Sequence, residues 1–468
     1  MHYVVFLQKQ GLIPYRDIVD INLPGTYLFE EVAMRSFGAG AFGWRLYDCF
    51  LLVSVLGSAM VLAGKRNLFA GIFSALIFVL VHLQDGIAQG GQRDLLMTAL
   101  LLWAYVALFQ VQRAKRAVWM ALLYGLLIGA TATIKPVLLP LGLVLLLALG
   151  WIAHRRGLRV WSLLSAGAIG IIIPVGAVLL WLKWIGAFQS FLSILTGLLP
   201  LHAQMGRKTL SFLLSHALSP VALLAALWLV LQVLERRKIS AEKAELMIGI
   251  VGTAVAYIAQ GKGYPYQRYP LLAILLVLIG MDLNRALDIK GAIGRFAMAT
   301  CILSSFVFAP RYAWLTTTFS NTTPFQDALS ERLLGLDSPT ELSGHVQCLD
   351  TFGGCINSLY DLQIRQSTGF IYDCYLFSSE STERERYRTK FWNSYQLAKP
   401  RVVVETNQFC FGDARGFDKL ATWPLLDEDI RQKYEMKSAW RSQVLQHWWS
   451  RREEPSEFKL YVRKPGVL

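Results

Sequence analysis

The feature that most constrains this chain is a series of long apolar runs, repeated until about residue 315. Ten of them read off directly, at 44–63, 68–83, 95–112, 117–133, 137–153, 160–182, 216–234, 244–259, 270–284 and 296–315. A helix needs about 20 apolar residues to cross ~30 Å of hydrocarbon, and these runs approach or reach that length. They are apolar all round rather than striped at helical period, which excludes an ordinary soluble helical bundle. Hydrophobic residues make up 54% of the chain and charged residues only 17%, a low charged share for a soluble protein of this length. The expectation is an α-helical, multi-pass membrane protein with about ten transmembrane helices.

Charge is distributed in a way that excludes nucleic acid as a partner. Up to residue 315 there are 27 Lys and Arg against 12 Asp and Glu, and beyond it 19 against 20. A nucleic-acid binder gathers its basic residues on one soluble face. Here the excess sits in short loops between apolar runs, where it acts as a topology signal. One alternating set of loops is dense in it: Lys65 and Arg66; Arg113, Lys115 and Arg116; Arg155, Arg156 and Arg159; Arg236, Arg237, Lys238 and Lys243; Arg285, Lys290 and Arg295. The positive-inside rule assigns that set to the cytoplasm of a cell (inner) membrane protein. Residues 1–43 and the tail from 316 onward are then extracytoplasmic. Three regions result: an external loop with an acidic motif and an interfacial helix (1–43), a transmembrane domain (44–315) and a soluble external domain (316–468). An external N-terminus with neither helix nor signal peptide ahead of it is awkward to insert, so the expectation is that one upstream transmembrane helix is missing.

The tail has the composition of a folded soluble domain long enough to bury a core. Val402, Val403 and Val404 follow Pro400 as a buried strand, 458–462 alternates as a strand, and 383–397 and 355–365 read as helices. A small α/β domain is expected. Four of the six cysteines, Cys348, Cys355, Cys374 and Cys410, fall in it, and in an exported domain they suggest one or two disulfides of open pairing. Their spacing matches no zinc site, and no metal is expected.

Polar motifs collect at the predicted outer ends of the spans. Charged groups at a membrane face are costly and need a purpose. The segment 14–27, PYRDIVDINLPGTY, carries Asp17 and Asp20 three apart beside Arg16. On a helical turn both carboxylates would face one way, and either can act as a general base or simply cap the next helix. GGQRD at 90–94 offers Arg93 and Asp94, the latter also readable as an N-cap. TIKP at 133–136 places Lys135 before a helix-breaking proline, as a phosphate contact or a snorkelling anchor. QGKGYPYQRYP at 260–270 presents Lys262, Tyr266, Gln267 and Arg268 in a tight loop, or forms an interfacial aromatic belt. The segment 189–205 is moderately amphipathic and suited to the membrane surface.

In that order, these motifs resemble the bacterial GT-C superfamily of membrane glycosyltransferases, related to protein O-mannosyltransferases and lipid A aminoarabinose transferases. The resemblance runs to about residue 283 and more loosely through the tail. It implies a hexosyl or pentosyl transferase that takes sugar from a polyprenyl phosphate and inverts the anomeric carbon in one displacement outside the cytoplasm. It further implies catalytic carboxylates at Asp17 or Asp20 and at Asp94, donor-phosphate contacts at Arg16, Arg93, Lys135, Lys262 and Arg268, and substrate contacts at Tyr266 and Gln267. Because the leaving group is a monophosphate, lysine and arginine can balance its charge and no cofactor is required. The acceptor, a glycan, lipid or protein, stays open. Two positions depart from the family pattern. The acidic pair expected a few residues ahead of His2 and Tyr3 is missing, and Asn22 and Leu23 stand where lysine and proline are common.

Two other functions compete with this reading. A transporter or flippase predicts charge at mid-membrane and repeats with broken helices, and neither pattern is visible. An inactive envelope scaffold predicts the same folds without catalysis. No phosphate-binding loop, dinucleotide fingerprint or nucleophile elbow is present.

Overall fold

The computed structural model describes residues 1–64, 67–86, 89–111, 116–235, 240–315, 324–408, 416–442 and 456–466. The chain forms two compact units. One gathers Met1–Ile21, Leu182–Arg207 and Ser320–Leu468, and the other Asn22–Trp181 and Lys208–Phe319.

The second unit is helical. Among the described residues, eight helices are long and apolar enough to cross a membrane: Ala41–Ala63, Leu68–Asp85, Arg93–Val111, Ala117–Ile134, Pro136–Arg155, Val160–Trp184, Leu210–Glu235 and Pro265–Leu287. Two of the expected spans take a different form. Ala241–Gln260 begins with Glu242, Lys243 and Glu245, so its apolar stretch is diluted. Ala292–Leu315 is apolar over a shorter length. The expected span at 216–234 starts earlier and is interrupted by a 3-10 turn at Ser219–Val221, where Pro220 cannot supply an N–H.

Burial separates the helices. The most apolar windows of Arg93–Val111 and Pro265–Leu287 are 78% buried, whereas that of Val160–Trp184 is 28% buried. The first two form the centre of this unit, and the third shows its apolar surface outward, as lipid contact requires. Chain direction alternates, so the starts of Arg93–Val111 and Pro265–Leu287 lie at the same end as the finishes of Leu68–Asp85, Ala117–Ile134 and Ala241–Gln260. At the opposite end Lys243 pairs with Asp282 at 2.9 Å, and Asp282 accepts from Trp228.

The first unit is built on a four-stranded sheet in the order β1-β2-β4-β3. β1 (Val346–Leu349) runs parallel to β2 (Val402–Thr406), β2 antiparallel to β4 (Glu457–Arg463), and β4 antiparallel to β3 (Tyr434–Arg441). Every residue of β1 and β2 is buried, as the valine run implied. The expected helices are Thr382–Ala398 and Cys355–Asp361. Cys348 is bonded to Cys355, Cys374 is also disulfide-bonded, and Cys410 lies outside the described residues.

The N-terminal residues complete this unit. The helix His2–Lys9 buries five consecutive apolar side chains, Tyr3 to Leu7. The Tyr3 hydroxyl donates to the Ile364 carbonyl at 3.2 Å and accepts from the Gln366 N–H at 2.7 Å. Val19 pairs with Phe370 as a short parallel bridge. Residues 189–205, expected to be amphipathic, form the helices Phe188–Ser193 and Leu199–Gln204 around a π-helical turn at Ile194–Leu198.

Candidate active site

A polar cluster in the helical unit lies where five helix ends meet. Pro136 forbids helix at the residue before it, and Lys135 accordingly adopts an extended backbone (φ −151°, ψ 125°) that ends Ala117–Ile134. Its ammonium donates to both oxygens of Asp94, at 2.8 and 2.7 Å, and to Gln260 Oε1 at 3.2 Å. Asp94 stands in the first turn of its helix and is almost fully buried. There the helix dipole favours its negative charge. Arg93 brings a guanidinium nitrogen to 3.8 Å from Asp94, and Lys135 lies 5.4 Å from the centroid of the Tyr266 ring. Burial pushes the Lys135 ammonium down to about 8, against the opposing pull of Asp94.

Close packing seats another element beside this cluster. The helix Pro24–Phe37 starts with Pro24 and Gly25, and a Cβ at Gly25 would fall 2.1 Å from Thr133 Oγ1, two residues from Lys135. Glycine is what lets the helix approach so closely. The same helix buries Thr26, Tyr27 and Glu30.

A second array adjoins the 3-10 turn Pro265–Arg268. Arg268 donates to Asp85 at 2.8 Å, to the His216 carbonyl at 3.2 Å and to Ser219 Oγ at 3.1 Å. His82 links the Tyr269 hydroxyl, 3.0 Å from Nδ1, to Asp48, 3.1 Å from Nε2. Asp48 also accepts from the Gly91 N–H at 2.6 Å. Lys262 is buried just beyond Gly261, whose left-handed backbone ends Ala241–Gln260. Gln267 is buried too, and its Oε1 accepts from the Tyr264 N–H at 3.2 Å, which holds the turn.

The structure brings Arg93, Asp94, Lys135 and Tyr266 together and places Arg268 in the adjoining array. Arg16, Asp17 and Asp20 belong to the other unit. They do not sit on a helical turn, contrary to the expectation for Asp17 and Asp20. Pro14 bridges to Ile18, and Tyr15 has a positive φ of 66°, so the chain folds back on itself. As a result Asp17 turns outward to Arg16, at 2.9 and 2.8 Å, and accepts from the Ile13 N–H at 2.9 Å. The Arg16 guanidinium holds the Asp17 carboxyl below the usual carboxylate range. Asp20 is buried in the same unit.

Sequence reasoning passed over Asp85, the role of Gln260 as a partner of Lys135, and the contacts of His82 with Tyr269 and Asp48. The available signal was positional, since Gln260 and Asp85 each end a helix on the side already marked by the polar motifs. Among the described residues, no three His, Cys, Asp or Glu side chains gather as a metal-binding group.

No protein-family model matches the chain, and no curated protein matches it in sequence. Its fold, however, is shared with solved membrane proteins. It is similar to ArnT from Cupriavidus metallidurans bound to undecaprenyl phosphate, with a TM-score of 0.60 and 12% identity across 98% of this chain and 92% of that one. The apo form of the same protein gives 0.59 and 12%, covering 98% and 91%. The Archaeoglobus fulgidus oligosaccharyltransferase tethered with an acceptor peptide gives 0.50 and 11%, covering 83% of this chain and 61% of that one. The chain therefore shares the fold of these structures, a bundle of apolar helices with a small C-terminal α/β domain, the fold the motif order implied.

Proposed function

We propose that this protein is an inverting glycosyltransferase that moves a sugar from a polyprenyl-phosphate donor to an acceptor hydroxyl on the extracytoplasmic face of the cell membrane. The observation that carries the reading is the buried Asp94–Lys135 pair, flanked by Arg93 and Tyr266 at one end of a GT-C-type helical bundle. The solved structure of ArnT, which has the same fold, holds undecaprenyl phosphate.

The chemistry follows from charge. The acceptor oxygen forms a bond to the anomeric carbon as the bond from that carbon to the phosphate oxygen breaks. The hydroxyl proton passes to a carboxylate, and the lipid phosphate leaves with its additional negative charge. Lys135 and Arg93 stabilise that charge, with Lys262 and Arg268 in supporting positions. In the resting site Lys135 occupies both oxygens of Asp94. A phosphate arriving at Lys135 competes for the ammonium and frees Asp94 to accept a proton. Asp17 is a weaker base, because Arg16 already stabilises its ionised form. Tyr266 and Gln267 complete the proposed set as substrate contacts. The sparse basic residues at this end of the bundle support its extracytoplasmic placement.

The test uses the full-length protein in lipid nanodiscs with a panel of undecaprenyl-phosphate-linked hexoses and pentoses. Release of undecaprenyl phosphate and transfer to extracted envelope glycolipids are measured. Turnover with at least one donor, lost in Asp94→Asn and in Lys135→Gln, is expected. No turnover with any donor, together with undecaprenyl phosphate binding unaffected by Lys135→Gln, would overturn the reading.

A further inference from the structure

One helix of the helical unit grips the turn that leads into the candidate site. Trp44 and Asp48 lie four apart on Ala41–Ala63 and so share a face of it. Trp44 donates its indole N–H to the Gly90 carbonyl at 2.9 Å, and Asp48 accepts from the Gly91 N–H at 2.6 Å. Gly91 has a φ of 59°, and a Cβ on it would fall 2.4 Å from the Trp44 ring. Any other residue would be strained here both in backbone and in space. The next helix begins directly after the turn, since the Gln92 carbonyl accepts from the Leu95 N–H at 2.9 Å. Its first two residues are Arg93 and Asp94.

Asp48 is itself held in one orientation. Its other oxygen lies 3.1 Å from His82 Nε2, which leaves Nδ1 to accept from the Tyr269 hydroxyl at 3.0 Å. His82 and Tyr269 are both buried. The chain of bonds therefore joins Ala41–Ala63, Leu68–Asp85, the turn at 90–91 and Tyr269–Leu287. Packing of membrane helices does not require ionisable groups, and burying them is costly. Leu68–Asp85 and Tyr269–Leu287 are in fact joined at their other ends by a neutral pair, Asn284 donating to Asn67 at 3.0 Å. The ionisable link between them stands at the end that carries Arg93 and Asp94.

We propose that Asp48 and His82 are positioning residues for sugar transfer. Asp48, oriented by His82, fixes the Gly90–Gly91 turn, and the turn sets where Arg93 and Asp94 stand relative to Lys135. This role rests on the transferase reading of the Asp94–Lys135 pair. Both residues act through the start of Arg93–Val111, as supporting hydrogen bonds hold the groups that do the chemistry.

The experiment assays full-length protein in nanodiscs with the undecaprenyl-phosphate-linked sugar that the wild type turns over best. Turnover is referred to the number of undecaprenyl-phosphate-binding sites in each sample, so that misfolded protein does not count. Asp48→Ala is expected to lower kcat about tenfold to a hundredfold, the scale of a ~1 Å displacement of catalytic groups, with KM for the donor changed less. Asp48→Asn keeps a carbonyl oxygen for the Gly91 N–H and should lose less. His82→Ala should repeat the loss, and His82→Gln, which can still donate to Asp48, should restore most of it. Gly91→Ala displaces the turn by sterics alone and should also lower kcat. If Asp48→Ala fails to fold, Asp48→Asn and Gly91→Ala carry the same comparison. Asn284→Ala, which cuts the neutral link between the same two helices, should leave kcat unchanged. Amide hydrogen exchange at 91–96 should speed up in Asp48→Ala and not in Asn284→Ala. Unaltered kcat in Asp48→Ala, an equal loss in Asn284→Ala, no recovery with His82→Gln, or unaltered exchange would each overturn the proposal. An inactive wild type overturns the transferase reading and this role with it, whereas an active wild type matched by Asp48→Ala overturns this role alone.

Discussion

Two buried lysine–aspartate pairs, Lys419–Asp373 in the sheet-bearing unit and Lys135–Asp94 in the helical unit, differ in a way that bears on function. In the sheet-bearing unit Lys419 and Asp373 meet at 2.7 Å with side chains 0% and 3% exposed. Lys419 also donates to the Leu349 carbonyl at 2.8 Å, and Asp373 accepts from Thr351 at 2.6 Å. That pair is sealed and fully hydrogen-bonded. In the helical unit Lys135 and Asp94 meet at the same 2.7 Å, but Lys135 is 16% exposed and Arg93 adds a further cation. A buried pair alone does not mark a site, since burial of ions is costly in either setting. The mark is a surplus charge with a route to solvent.

Substitutions can break or sharpen this contrast. The largest effect is expected on stability at the sealed pair. Lys419→Met strands Asp373 without its partner, a loss of about 3–5 kcal/mol, which thermal unfolding followed by protease sensitivity of the sheet-bearing unit would read. Activity should be nearly normal at temperatures where that unit stays folded. At the open pair the effect should fall on chemistry. Lys135→Gln is expected to lower turnover by about 10²–10³ while leaving unfolding little changed. Comparable stability losses at both positions would erase the distinction.

Two pH dependences follow, each smaller. Glu405 on β2 is buried, and burial pushes its carboxyl from 4.5 up to about 7. The fold thus favours its protonated form. Stability from this group is fully present below 4.5 and is lost as pH rises through about 7. Glu405→Gln should flatten that part of the stability–pH curve. In the helical unit the Lys135 ammonium, lowered to about 8, loses its charge as pH rises through that value. The ratio kcat/KM should fall over the same range. Lys135→Arg, charged throughout, should remove the decline whatever its effect on the maximum.

Much of the fold was legible because it depends on one-dimensional patterns. Apolar runs mark the spans, the valines of β2 mark a buried strand, and the alternation at 458–462 marks its neighbour. Of the candidate site, the Arg93, Asp94 and Lys135 cluster was legible as separate motifs whose shared end followed from counting helices. The geometry of Asp17 and Asp20 was not legible. Their spacing of three suits a helix, but Pro14 and the positive φ of Tyr15 turn the chain before a helix can form. Asp85 carried no motif of its own, and Gln260 only opened the motif at 260–270. Each acquires significance only through a partner more than 100 residues away, Lys135 and Arg268 respectively.

By itself, then, the amino-acid sequence determined the membrane class, the alternation of helix ends and the presence of a soluble tail. These depend on the length and polarity of local segments, and the cost of exposing apolar surface to water decides them run by run. Tertiary structure alone decided that residues 1–21 and 182–207 join the tail in one unit, and that Lys135 selects Asp94 among the available carboxylates. Such pairings depend on the distance between groups remote in the chain. Packing of whole elements sets that distance, and no local pattern encodes it.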